Sequence, residues 1–203
     1  MGDRLRAATG AAGAVVLTSA WVTAGLLTDG FDPVRQSISQ LQREGTATGS
    51  VVTAALVAFA AGTLLVSPVL GRRVSRPVQA ALLLIGLATL GAAISPLGEV
   101  RGGAQDAVHL TFGATGYVSL SLLPPLAGWA LRRRSRVGSA GSYVLGVVTA
   151  ACLLGTVPAD AVSGALQRAG FLAGHLWLLL ACLVVLCGTG QPQDASSSAA
   201  RGR

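Results

Sequence analysis

Each of the two histidines in this sequence has a charged residue nearby that would share its helical face. Asp106 precedes His109 by three positions, so the two side chains are neighbours if this stretch is a helix. Arg168 precedes His175 by seven positions, or two helical turns, so this pair also shares a face. A carboxylate beside an imidazole orients the ring and raises its pKa. We therefore consider these four residues as candidates for acid–base chemistry or ligand binding.

Two other kinds of catalytic site have weaker support. Asp106, His109, Asp160 and His175 could supply zinc ligands, but the sequence has no HxxxH or HExxH spacing, and we expect no metal or other cofactor. Ser39 and His109 would make a nucleophile and a base, yet no Gly-x-Ser-x-Gly surrounds the serine. The sequence therefore does not reveal a reaction, and it favours binding over catalysis.

The composition predicts a membrane protein. Of the 203 residues 52% are hydrophobic and only 11% are charged, and the mean hydropathy is +0.64. Apolar runs of about 20 residues recur, the length that crosses a hydrocarbon core. We predict an all-α, polytopic bundle whose six spans cover residues 7–27, 49–70, 78–95, 107–131, 137–157 and 166–187. The first span is expected to stay uncleaved, and residues 191–203 to form a disordered cytoplasmic tail.

The arginines predict the orientation in the membrane. All 15 basic residues are arginine, and eleven of them lie at the termini or after the second and fourth spans. Positive charge is retained on the cytoplasmic side, so we expect both termini in the cytoplasm and the protein in the plasma (inner) membrane. Six of the eight acidic residues then lie on the outer side: Asp29, Asp32, Glu44, Glu99, Asp106 and Asp160.

The longest polar stretch, residues 31–45, follows the first span. Asp32 suits the N-cap of a helix, Pro33 suits its first position, and Gly45 is a typical end. Apolar residues recur between them with helical spacing: Val34, Ile38 and Leu41. We expect a short amphipathic helix at the outer interface. It either covers helix ends as a lid only, or closes its polar face over an outer pocket.

Three segments resemble the domain of unknown function 998 family, a group of bacterial and archaeal membrane proteins. They are "DPVRQSISQL", "QDAVHLTFGATGYV" and "GALQRAGFLAGHLWLL". The matching positions are Pro33, Ile38, Ser39, Leu41, His109, Gly164 and Arg168. Gln40 departs from the pattern, since many members have an acid there. The resemblance implies a bacterial integral membrane protein of about six helices and carries no established activity.

Seven polar residues are expected on the same side of the membrane and on matching helical faces, which predicts one outer polar cluster. Its members are Asp32, Arg35, Ser39, Asp106, His109, Arg168 and His175. We expect this cluster to bind a lipid headgroup or small amphiphile without catalysis. The alternatives are an accessory or structural subunit, and an intramembrane hydrolase or transporter that uses these residues. Membrane lipids are the expected partners, with another membrane protein for the accessory subunit. Arginine clusters between apolar runs argue against nucleic acid.

Overall fold

The protein folds into six long α-helices, seen in a computed structural model that describes residues 1–157 and 161–188. The helices are α1 (Asp3–Leu27), α2 (Gly49–Arg73), α3 (Arg76–Ile94), α4 (Ala104–Leu131), α5 (Arg136–Gly155) and α6 (Ser163–Leu186). A 3₁₀ helix (Ile38–Gln42) lies between α1 and α2. The predicted all-α fold is confirmed, and each helix begins within four residues of its predicted start. The tail predicted at 191–203 lies outside the described residues.

The helices form a closed ring. Each helix packs against the next one in sequence, and α1 also packs against α6. Because the chain reverses at every loop, the 3₁₀ helix and the loops before α4 and α6 gather at one end of the ring. We call this the Ser39 end. The loops before α3 and α5 lie at the opposite end, which we call the arginine end.

The outer surface of the ring is apolar. Leu87, Val147 and Leu180 are among the many large hydrophobic side chains exposed on it. By length and composition, α1, α2, α3, α5 and α6 are able to cross a membrane. The 28-residue α4 is not among them, because serines, threonines and two prolines lower its hydropathy. Its Ser119 and Ser121 are buried. The architecture is that of a membrane helix bundle.

Short-range contacts define the arginine end. Ser75 and Ser135 cap α3 and α5, accepting hydrogen bonds from the N–H groups of Val78 and Gly138 at 3.5 and 3.0 Å. Such caps satisfy N–H groups that have no partner within the helix. An ion pair of 2.8 Å between Arg72 and Asp3 joins α2 to α1. These contacts hold the loops of the arginine end in place.

The short helix predicted in this loop is present, but it is shorter than the expected stretch from Asp32 to Gly45. Residues 33–36 form a turn and a bend, and only Ile38–Gln42 is helical, with 3₁₀ geometry. Asp32 stabilises the turn before this helix and does not cap the helix itself, since its Oδ1 accepts from the N–H of Val34 at 2.9 Å. Val34 itself is 46% exposed and does not join the predicted apolar stripe. Ile38 and Leu41 are buried, so the segment packs on the bundle over a single turn.

Candidate functional site

A serine of the 3₁₀ helix contacts a histidine of α4. His109 is buried one turn into α4, and its Nε2 lies 2.9 Å from the hydroxyl of Ser39. Its other ring nitrogen, Nδ1, lies 2.7 Å from the carbonyl oxygen of Ser95 and 3.2 Å from that of Ala92. The two residues are 70 positions apart in sequence, so the contact depends on the 3₁₀ helix docking against α3 and α4.

These contacts determine where the imidazole carries its proton. Carbonyl oxygens only accept hydrogen bonds, so Nδ1 of His109 must be the protonated nitrogen of the neutral ring. Nε2 then has the lone pair and accepts from the Ser39 hydroxyl. The carbonyls of Ala92 and Ser95 lie at the end of α3, where carbonyls have no partner within the helix. The end of α3 therefore orients the histidine.

Gln42, which the sequence analysis did not single out, binds the same helix end. Its Nε2 lies 3.1 Å from the oxygen of Ala93, 3.3 Å from that of Ala92 and 3.1 Å from the hydroxyl of Thr53. The side chain is only 2% exposed. Gln42 thus holds the 3₁₀ helix against α2 and α3, three residues after Ser39.

Asp106 does not orient His109, which is where the sequence interpretation differs from the structure. Its carboxylate accepts from the N–H groups of Gly98 and Gly102, both at 2.9 Å, and lies 3.4 Å from the guanidinium of Arg43. Asp106 lies in the first turn of α4, one residue before the predicted fourth span. The hydrogen bond from Gly102, that from Gly98 and the charge of Arg43 lower the pKa of Asp106, against the opposing effect of burial. The residue fastens the α3–α4 loop.

Arg168 fastens the loop that precedes the 3₁₀ helix. Its Nη1 donates to the carbonyl oxygens of Pro33 and Gln36, at 2.7 and 2.8 Å, and to Gly164 of its own helix. Gly164 lets α6 approach this loop, because a Cβ there would overlap the carbonyl oxygen of Gln36. Arg168 therefore has a structural partner in the main chain.

Two members of the predicted cluster lie at the surface. Arg35 and Asp32 form an exposed ion pair of 3.7 Å in the turn before the 3₁₀ helix. Their side chains remain 71% and 47% accessible. An exposed pair of this kind contributes little to stability. Among the described residues, neither side chain forms a hydrogen bond or ion pair with Ser39 or His109.

His175 lies deeper, inside the ring. The sequence analysis placed Arg168 and His175 on one helical face, and α6 does begin before Arg168. His175 is 4% exposed. Its Nδ1 lies 2.9 Å from the hydroxyl of Thr18 on α1, and its ring lies 4.8 Å from that of Phe59. His175 thus has the partner on a neighbouring helix that an ionisable group at this depth is expected to find.

A cavity of about 380 Å³ connects the two histidines. Its wall is mainly apolar, with contributions from every helix and from the 3₁₀ helix; it includes Leu56, Phe59, Ile85, Phe112, Leu120 and Phe171. Ser39, His109 and His175 also line it. This volume falls in the range of small-molecule sites, which combine apolar walls with a few polar groups.

The predicted cluster is therefore divided into three parts. Ser39, His109 and His175 line one cavity; Asp106 and Arg168 bind loop backbone; Asp32 and Arg35 lie on the surface. Among residues 1–157 and 161–188, no three histidine, cysteine or acidic side chains come close enough to hold a metal ion. Asp160, considered above as a zinc ligand, lies outside this range.

Comparison with known proteins gives one match. The family described as "protein of unknown function (DUF998)" matches residues 11–184. The chain belongs to this family. No curated protein and no solved structure matches the chain. The match extends from within α1 to within α6, so the whole ring of helices belongs to the DUF998 domain.

At position 40, where the family resemblance leads us to expect an acid, this chain has glutamine. Gln40 follows Ser39, and its Oε1 accepts from Nε of Arg43 at 3.2 Å. An acid at this position would also face Arg43, as a charged partner. Arg43 therefore lies between position 40 and Asp106, and in this chain only Asp106 supplies a carboxylate to it among the described residues.

Proposed function

We propose that the protein binds a single membrane lipid or other amphiphile in the cavity of the ring. The apolar chain would lie along the cavity wall, and its polar group would contact Ser39 and His109. The observation that carries this proposal is the cavity itself, because an apolar space inside a membrane bundle ends at a polar serine–histidine pair. Ligand sites typically have this combination of apolar wall and few polar groups.

Access from the lipid supports an amphiphile as the occupant. Leu110 and Val157 line the cavity and are 60% and 80% exposed in the described part of the chain. The cavity thus reaches the apolar outer surface between the start of α4 and the end of α5. A chain from the surrounding lipid could enter there without crossing water.

Unpaired polar atoms around the cavity also support an occupant. Among the described residues, Trp21 Nε1, Tyr117 Oη and His175 Nε2 are buried and make no hydrogen bond. All three residues line the cavity. Buried polar groups ordinarily have a partner, and each one left without a partner costs about 1–3 kcal/mol. A bound molecule or water would supply the missing hydrogen-bond partners.

The orientation of the bundle is part of the proposal. The arginine end would face the cytoplasm, with both termini, and the Ser39 end would face the outside of a bacterial plasma membrane. The distribution of arginines supports this, since retained positive charge marks the cytoplasmic side. The serine–histidine pair would then act on the outer leaflet.

Native mass spectrometry of the detergent-purified protein tests the binding. Gly113 lines the cavity, and a Cβ added there would meet no atom within 4 Å. Gly113→Leu should therefore place an apolar side chain in the cavity, compete with the ligand for that space and remove the co-purified lipid adduct. Gly141→Leu is the matched control, because Gly141 also has free space but does not line the cavity. Equal lipid occupancy in both variants and the wild type would contradict the proposal.

A further inference from the structure

We propose that Ser39 and His109 form a nucleophile and general base that cleave the carboxylic ester of an acylated amphiphile bound in the cavity. This inference rests on the proposed function, since it assigns a reaction to the same site. It extends that function from binding to ester hydrolysis, with the fatty acyl chain in the apolar cavity and the ester group at the serine.

Ser39 and His109 have the geometry of a nucleophile and its base. A nucleophilic serine needs a base within about 2.6–3.2 Å, and a third group that orients the base. The Ser39 hydroxyl lies 2.9 Å from His109 Nε2. The carbonyls of Ser95 and Ala92 hold Nδ1 and thereby direct the lone pair of Nε2 at the serine. These carbonyls also stabilise the imidazolium that forms once Nε2 takes a proton, because they continue to accept from Nδ1.

Neighbouring side chains fix Ser39 in place. Ile38, the residue before Ser39, donates its backbone N–H to Oε1 of Gln167 at 2.8 Å. Three residues after Ser39, Gln42 binds α2 and α3 as described above. The serine is held from both sides by buried or half-buried amides. Catalytic groups need such support to remain in a reactive geometry.

Gln167 also offers a donor for the negative charge that develops on the carbonyl oxygen. Because an N–H of the main chain donates to the side chain, the acceptor must be Oε1, and this fixes which way the amide points. Its NH₂ group then makes no hydrogen bond within the described residues. Gln167 lines the cavity. A side-chain amide that donates to the developing oxyanion is a known catalytic element.

The reaction needs no oxidant, reductant or metal. Ser39 Oγ attacks the ester carbonyl carbon while its proton passes to His109 Nε2. The bond from that carbon to the alcohol oxygen breaks, and the leaving oxygen takes the proton from Nε2, so that the acyl group remains on Ser39. Water then attacks the acyl carbon and gives a proton to Nε2. The serine oxygen leaves with that proton, and the carboxylic acid is released.

The same contacts would be expected from a purely structural role, in which the pair only holds the 3₁₀ helix on α3. The position of the pair argues for more than this. Ser39 is half-buried and both residues line the cavity, whereas Gln42 already binds the end of α3. A structural hydrogen bond does not make a serine nucleophilic, so reactivity distinguishes the two roles.

A long-chain alkyl fluorophosphonate, which reacts with activated serines, tests the proposal on the full-length protein in detergent. We expect one adduct, located at Ser39 by peptide mass spectrometry, and hydrolysis of 4-nitrophenyl dodecanoate. Ser39→Ala should abolish both. Ser37→Ala is the matched control and should retain both, since Ser37 makes no capping bond with its side chain. His109→Asn keeps a donor near the α3 carbonyls but removes the base, and should lower both rates at least about 100-fold.

The results separate this proposal from the proposed function. No adduct, an adduct at Ser37, or an unchanged rate in folded His109→Asn would overturn the hydrolase. If the lipid adduct in native mass spectra is meanwhile lost in Gly113→Leu but kept in Ser39→Ala, binding stands without catalysis. If Gly113→Leu keeps its lipid, the binding site itself is wrong, whatever the serine does.

Discussion

The guanidinium of Arg43 lies 3.4 Å from the carboxylate of Asp106, and this contact joins the loop after the 3₁₀ helix to the first turn of α4. The two side chains are only 13% and 9% accessible. Arg43 also donates to the carbonyl oxygen of Gly98 in the α3–α4 loop. The pair therefore forms one side of the support for the 3₁₀ helix, and Arg168 forms the other.

Loss of Arg43 should destabilise the protein more than loss of an exposed arginine. Arg43→Ala leaves the Asp106 carboxylate without a charged partner in a site of low accessibility, whereas Arg35→Ala removes an exposed pair worth at most about 1 kcal/mol. For a chain of this size we expect the Tm of Arg43→Ala to fall by more than about 4 °C, and that of Arg35→Ala by less. Thermal unfolding in detergent measures both. Equal shifts would show that the Arg43–Asp106 pair has no special weight.

The Asp106 carboxylate should make stability depend on acid pH. Its pKa in the folded protein is lowered from 3.8, chiefly by the Gly102 hydrogen bond. A group with a depressed folded pKa stabilises above its unfolded pKa, and this contribution declines as the pH falls towards the folded value. The Tm difference between wild type and Asp106→Asn should therefore be constant from pH 7 to pH 5 and shrink below about pH 4. A difference that persists unchanged at pH 3 would mean that the charge is unimportant.

Much of the fold could be predicted because membrane helices are determined by local sequence. Apolar runs of the right length indicate each span, and helical phase correctly placed His175 inside the ring. The loop segment was harder. Val34 fits an apolar stripe by spacing, yet the docking of residues 33–36 on α6 through Arg168 turns it outwards.

The site partners were missed for a related reason. Gln42 and Gln167 form hydrogen bonds with backbone groups of other segments. The spacing of residues in the sequence does not indicate that a carbonyl at the end of α3 or the N–H of Ile38 lies near them. The spacing of Asp106 and His109 predicted a contact between them. The structure instead gives each residue a backbone partner, because helix ends and loops leave unpaired groups nearby.

Close packing of α6 against the loop should make Gly164 sensitive to substitution. A Cβ at this position would overlap the carbonyl oxygen of Gln36, so Gly164→Ala must shift the loop that Arg168 holds. Overpacking of this kind typically costs about 1–3 kcal/mol. Hydrogen–deuterium exchange of residues 31–42 should become faster. In the control Gly103→Ala the added Cβ finds its nearest neighbour at 3.4 Å, and exchange of residues 31–42 should stay as in the wild type.

The proposed orientation predicts which cysteines react in intact cells. Cys187 is exposed at the arginine end, whereas Ala47 is exposed in the loop at the Ser39 end. A variant that keeps Cys187 alone, with Cys152 and Cys182 replaced by alanine, should resist a membrane-impermeant maleimide until the cells are permeabilised. A variant with Ala47→Cys in a background without the three native cysteines should react at once, because the proposed orientation places the Ser39 end outside and the arginine end in the cytoplasm. Reaction of Cys187 in intact cells, together with protection of the thiol in the Ala47→Cys variant, would invert the bundle and place the serine–histidine pair at the inner leaflet.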